Sequence, residues 1–172
     1  MKEKKELITI KILDLEIDEK VYKRILIIGI VLIICYCMIS FLSLAIPRIY
    51  IMDKDTMIAE DGEVVTSIDM LYRGSLRLEL SGWAYKTGES VDTFESYFIL
   101  KNQDTGRMFI LQTERREVPD LLTVDGKYNC KYSGLHAKSI ILGLKDGNYD
   151  LYILYKNNNE NLMVDTGIVV SL

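Results

Sequence analysis

Residues 75–85 read SLRLELSGWAY. Leu76, Leu78 and Leu80 alternate with Arg77 and Glu79, so an extended chain here buries one face and wets the other. Gly82 beside Trp83 suits a strand bulge or a close approach by a neighbouring strand. The same rhythm continues outward. Residues 63–71 form a weaker extended run, and 95–101, 107–113, 138–142, 149–156 and 166–172 follow. Turn residues separate them. Residues 102–106 (NQDTG) read as a hairpin loop, Asp125-Gly126 and Asp146-Gly147-Asn148 as tight turns, and 157–161 as a polar loop before the last strand. Leu144 and Tyr149 are placed to clamp the turn at Gly147 from either side. Only residues 120–124 suggest a helical turn. About seven short strands in roughly 110 residues predict an all-β fold, an antiparallel β-sandwich. The crossover helices of a parallel α/β sheet are missing.

Ahead of this region lies a different kind of sequence. Residues 25–46 read ILIIGIVLIICYCMISFLSLAI, in which only Gly29, Ser40 and Ser43 are not apolar and nothing is charged. A helix of that length is ~33 Å long, against a hydrocarbon core of ~30 Å, and a helix satisfies its own backbone inside lipid. The run reads as a single N-terminal transmembrane helix ended by Pro47. Ser43-Leu44-Ala45 resembles a signal-peptide cleavage site, so cleavage after Ala45 is the rival reading. The length of the run and the six acidic residues ahead of it stand against cleavage. Lys20, Lys23 and Arg24 crowd the N-terminal edge and place the N-terminus in the cytoplasm. The expected organisation is a cytoplasmic tail (1–24), a transmembrane helix (25–46), a stem (47–62) and an extracytoplasmic β-sandwich domain (63–172) at the plasma membrane.

The composition excludes several classes. An apolar content of 49% with a net charge of -4 is not that of a disordered chain. No basic patch is interleaved with aromatics, so no nucleic acid is expected as a partner. Cys35 and Cys37 lie in the apolar run and Cys130 far beyond it, a spacing that predicts neither a disulfide framework nor a metal site. Cys130 reads as a small buried apolar side chain or as a reactive thiol. In the tail, Ile8, Ile10 and Ile12 alternate, and Leu13, Leu15 and Ile17 alternate on the other parity. Short strands there would offer an edge to another membrane protein; a loosely ordered tail is the alternative.

No catalytic constellation stands out, and the expectation is a protein that is not an enzyme and holds no cofactor. His136 is the only histidine. Ser133 is near it in sequence, but a triad from such close neighbours is rare, and a surface or edge-strand position is expected. Glu114 with Glu117, or Asp120 with Asp125, resemble glycosidase carboxylate pairs. With 25 acidic residues such pairs arise by chance, so an envelope glycan hydrolase is a minor alternative. Binding is better supported. Trp83 and Tyr85 offer aromatic faces on which a sugar ring stacks. Arg115 and Arg116, just ahead of Asp120, suit an acidic glycan or a phosphate diester. Against this, Trp83 also reads as a core residue, and the two arginines as solvated loop charges. Tyr149, Tyr152 and Tyr155 change faces along one strand and cannot form one platform.

The marks Gly82-Trp83-Ala84-Tyr85, Tyr97-Phe98-Ile99-Leu100-Lys101, Arg115-Arg116-Glu117-Val118-Pro119-Asp120, Tyr132-Ser133-Gly134-Leu135 and Leu144-Lys145-Asp146-Gly147-Asn148-Tyr149 recur in a known order. Over residues 76–156 the chain resembles a β-sandwich domain of membrane and cell-surface proteins of Gram-positive bacteria, associated with cell-surface polysaccharide machinery. It departs where Val118-Pro119-Asp120 replaces a plain Asp-Val, and where Leu135 stands for an aromatic. The resemblance implies no catalytic residues. It implies a non-catalytic recognition or assembly module of the cell envelope that binds cell-surface polysaccharide. The alternative is an accessory scaffolding subunit of a membrane enzyme or secretion complex. The expected partners are the lipid bilayer, a cell-surface glycan and another membrane protein.

Overall fold

A computed structural model describes residues 10–12, 15–17, 19–91, 93, 95–121 and 127–172. The chain forms two compact units, Met1–Leu44 and Ala45–Leu172.

In the first unit, β1 (Ile10–Ile12) pairs antiparallel with β2 (Leu15–Ile17), Ile10 opposite Ile17 and Ile12 opposite Leu15. Ile8 and Leu13 of the expected alternation lie outside the described residues. Helix α1 (Glu19–Ala45) follows. It starts six residues before the apolar run, because Glu19 favours the first turn and pairs with Lys23 one turn on, Oε1 to Nζ 2.6 Å. It stops at Ala45, two residues short of Pro47. It is one helix long and apolar enough to cross a membrane, and its apolar stretch is not buried by protein.

The second unit is mostly β. Its strands are β3 (Arg48–Tyr50), β4 (Met57–Ile58), β5 (Val64–Arg73), β6 (Arg77–Lys86), β7 (Tyr97–Asn102), β8 (Met108–Ile110), β9 (Thr113–Arg116), β10 (Gly134–Ile140), β11 (Asn148–Asn157) and β12 (Glu160–Ser171). A 3-10 turn, Pro119–Leu121, follows β9. One sheet has four strands in the order β5, β6, β10, β9; the other has six, in the order β3, β8, β7, β11, β12, β4. Every pairing is antiparallel except β4 with β12, which is parallel.

Alternation explains the core. On β6, Leu78, Leu80 and Ala84 are buried, while Arg77, Glu79, Ser81, Trp83 and Tyr85 point the other way. Leu135 and Ala137 on β10 join them. The six-stranded sheet supplies Phe98 and Leu100 from β7 and Leu151, Ile153 and Tyr155 from β11 to the same core. Each such side chain contributes ~1.5–3 kcal/mol on burial. Residues 97–100 of β7 are apolar without a break because the other face is covered too: Ile99, Leu154 and Met163 form a second cluster with Tyr50, Met108 and Tyr152.

Several expectations are corrected. Residues 47–62 are not a free stem. They supply β3 and β4, the two edges of the six-stranded sheet, and Lys156 on β11 approaches Asp53 between them, Nζ to Oδ2 3.9 Å. The run 107–113 is two strands in different sheets: β8 belongs to one and β9 to the other, with buried Leu111 at the crossing. Strands of two to four residues are too short to alternate visibly, which is why β3, β4 and the separate β9 escape a sequence reading. Residues 157–161 are not a loop. Asn157 pairs with Glu160 across a two-residue turn, where Asn158 (φ 48°) and Asn159 (φ 69°) both take the left-handed conformation that asparagine tolerates. The Asp125-Gly126 turn, and all but the start of the helical turn expected over 120–124, lie outside the described residues.

Three local features agree with the sequence. The bulge in β5 between Ile68 and Met70 sits opposite Gly82, and a β-carbon there would overlap the Ser67 carbonyl oxygen. The Tyr149 hydroxyl donates to the Lys145 carbonyl (2.8 Å), closing the turn at Gly147, and Leu144 packs on the core. Cys130 is a packed side chain; burial pushes its thiol pKa up. The two sheets are also tied by charge. Lys86 of β6 lies 2.8 Å from Glu160 of β12 and 3.3 Å from both Glu63 and Glu89.

Candidate functional site

The first residue of the β unit, Ala45, accepts a hydrogen bond from Ser139 Oγ (3.0 Å). Ser139 is opposite Leu78 on β6. Trp83 lies five residues further along β6, ~17 Å away at the usual strand rise. The links that follow β6 and β9 meet at this remote end. Val91 N–H donates to the Asn129 carbonyl (2.8 Å), Asn129 N–H to Ser90 Oγ (3.2 Å) and Val118 N–H to the Lys131 carbonyl (2.6 Å).

These bonds hold Tyr132 beside β9. Arg115 Nε donates to the Tyr132 carbonyl (3.0 Å), and its guanidinium lies 4.9 Å from the centroid of the Tyr132 ring. Lys131 Nζ lies 5.1 Å from the same centroid. An open cavity of about 600 Å³ is lined here by Val91, Arg115, Arg116, Glu117, Asn129 and Tyr132. Glu117 is occupied by Lys131, Oε2 to Nζ 3.0 Å, which holds its carboxyl below the usual range and raises the Lys131 ammonium. The Arg116 side chain makes no ion pair or hydrogen bond to a described residue. The cavity thus offers one guanidinium fixed against an aromatic ring and a second with its fork exposed. That is chemistry for gripping a phosphate or carboxylate beside a stacked ring.

Trp83 is not a core residue. It is half-buried on the face of the four-stranded sheet turned away from the core, stacked on Tyr85 with ring centroids 5.6 Å apart and planes 15° from parallel. In register, Trp83 and Arg116 flank Gly134 from the two neighbouring strands, so both side chains share this face, with the Val118 side chain packed over Gly134 between them. The structure therefore brings four of the five expected residues to one end: Trp83 and Tyr85 on the sheet face, Arg115 and Arg116 in the cavity wall. Asp120 is exposed in the 3-10 turn and does not line the cavity. Tyr132, Lys131 and Asn129 were missed as site residues, because only the meeting of the two links places them beside Arg115.

His136 is neither at the surface nor on an edge strand. It lies on β10, between β6 and β9, with Ser81 and Glu114 as register neighbours, and it is buried. Nε2 is 3.4 Å from Glu79 Oε1, yet neither ring nitrogen makes a hydrogen bond. Burial lowers its pKa, and Arg116 adds to this, outweighing Glu79 and Glu114. Ser133 Oγ is also buried without a hydrogen bond, so Ser133 and His136 are not coupled as nucleophile and base. Among the described residues no group of His, Cys, Asp and Glu side chains clusters as a metal site. No family model matches the chain, and neither a curated protein nor a solved structure matches it.

Proposed function

We propose that the chain is a single-pass membrane protein whose β-sandwich is a non-catalytic recognition module. It stands outside the plasma membrane, anchored by α1, and binds an anionic cell-surface polysaccharide. The shared core of the two sheets and the tyrosine closure of the Gly147 turn support a sandwich. Lys20, Lys23 and Arg24 at the start of α1 support a cytoplasmic N-terminus. The observation that carries the function is the cavity at the end remote from Ala45, where Arg115, Arg116 and Tyr132 converge. An array of neutral and anionic surface glycans, probed with the full chain in nanodiscs, tests it. Binding confined to anionic glycans is expected; no binding to any of them contradicts the reading.

A second reading, an accessory scaffold for a membrane enzyme or secretion complex, is favoured by the β1–β2 hairpin. Its two short strands leave backbone edges that a partner's strand can extend. Exchanging α1 and the tail for an unrelated anchor separates the two: the recognition module survives the exchange and the scaffold does not.

A further inference from the structure

We infer that the Ala45 end of the β unit is a lipid-contacting surface, whose apolar loop tips enter the headgroup layer and whose cations hold lipid phosphate. This rests on the membrane-anchored reading of α1, and it assigns a separate ligand to a separate end of the domain.

The covalent chain sets the location. Helix α1 ends at Ala45, and the Ala45 carbonyl is bonded to Ser139 Oγ (3.0 Å). Two residues beyond Ser139, ~7 Å at the usual strand rise, Ile141 N–H donates to the Leu76 carbonyl (3.1 Å). That bond joins the β5–β6 hairpin tip to the β10–β11 loop. The side chains presented there are apolar and uncovered: Leu76 is 63% exposed, Leu142 57% and Tyr72 56%. Soluble surfaces do carry single exposed leucines, but two adjoining loop tips headed by leucines beside an anchor form a patch. Tyrosine next to them is the residue that settles at a membrane interface.

Beside the β10–β11 loop is a cleft of about 240 Å³. Arg107 and Lys145 supply its cations, Thr105 its hydroxyl, and Ile49 and Phe109 an apolar wall. Ile49 is itself 69% exposed and lies only four residues after Ala45. Asp104 and Asp146 in the same loops offset part of the charge. The cleft therefore suits a phospholipid phosphate held by two cations, with acyl chain beginning at the apolar wall.

The test uses the full chain in nanodiscs made with acyl-brominated or with plain phospholipid. Trp83, the only tryptophan, reports from the remote end in the wild-type chain. Leu76→Trp in a Trp83→Phe background reports from the loop tip. About twofold quenching of the introduced tryptophan by brominated lipid is expected, as for side chains that reach the acyl boundary, with little quenching of Trp83. Arg107→Glu with Lys145→Glu should weaken the loop-tip quenching; if it does not, the phosphate contact is overturned. A chain that co-elutes with the discs while its loop-tip tryptophan stays unquenched overturns the lipid-contacting surface and leaves the anchor intact. A chain that does not enter the discs removes the anchor, and this inference with it.

Discussion

Arg115 holds Tyr132 at two points: its Nε donates to the Tyr132 carbonyl at 3.0 Å, and its guanidinium lies 4.9 Å from the ring centroid. One charged hydrogen bond and one exposed cation–π contact together are worth ~2–4 kcal/mol. Replacing Arg115 by lysine keeps the charge and loses the fork. Amide hydrogen exchange over residues 127–135 should then speed up about tenfold while global stability changes by less than ~1 kcal/mol. Unchanged exchange would show that Tyr132 is held by other contacts.

Lys86→Met should weaken the junction between the sheets, because Glu63, Glu89 and Glu160 would face one another without their shared cation. After allowance for solvent screening, the cost at pH 7 is about 1–2 kcal/mol. The pH dependence follows from the shifts. The Lys86 pKa is raised, chiefly by Glu160, so its contribution is present below the ordinary value of 10.5 and is lost as pH rises through the folded-state value. The Glu63 pKa is lowered, first by its hydrogen bond from the Glu60 backbone and then by Lys86, so its contribution is lost as pH falls below 4.5. Denaturant melts of the variant and wild type should differ most between these limits and converge as the pH falls through the lowered folded-state value of Glu63.

Gly82→Ala places a methyl group on the Ser67 carbonyl at the β5 bulge, where backbone cannot step aside. A loss of more than ~2 kcal/mol is expected, the size typical of overpacking against fixed backbone. Ser81→Ala, one residue away on the outward face, should be nearly neutral. Equal melting temperatures for the two variants would argue against the bulge register.

His136 makes stability fall in mild acid. Its folded pKa lies below 6.5, so below that pH the unfolded chain takes up a proton that the folded chain refuses. The groups facing it are Glu79, Glu114, Arg116 and Lys138. Glu79 acts in a lower window. Burial raises its carboxyl, but Lys138, Arg77 and His136 hold it below 4.5 overall, so its contribution is lost only under stronger acid. His136→Gln should flatten the stability profile as the pH falls below 6.5, whatever it does to stability at pH 8. A slope identical to that of the wild type would mean that another group carries it.

Much of this was written in local sequence. The alternation of Leu78 and Leu80 with Arg77 and Glu79 places β6 and its buried face. It also places Trp83, which has the parity of Arg77 and Glu79 and so must point outward; a core position for it ignores that parity. The order of strands is not local. Nothing near His136 says that β9 will pair with one side of β10 and β6 with the other, which brings Glu79, Glu114 and Arg116 around its ring. The same holds for Tyr132, which reaches Arg115 because β9 pairs with β10, Arg115 opposite Leu135. The two edge strands taken from residues 47–62 are invisible for a simpler reason: two or three residues carry no periodicity.

The central claim is that the remote cavity binds an anionic wall polymer. Its most direct test is a titration of the full chain in nanodiscs with a purified phosphodiester wall polymer, at low and at raised salt. Saturable binding that weakens with salt is expected. Arg116→Ala and Tyr132→Ala should each weaken it about tenfold, the worth of one charged hydrogen bond or one stacked ring, with the melting temperature of Arg116→Ala unchanged. No binding by the wild type, or binding that both substitutions leave intact, would contradict the account.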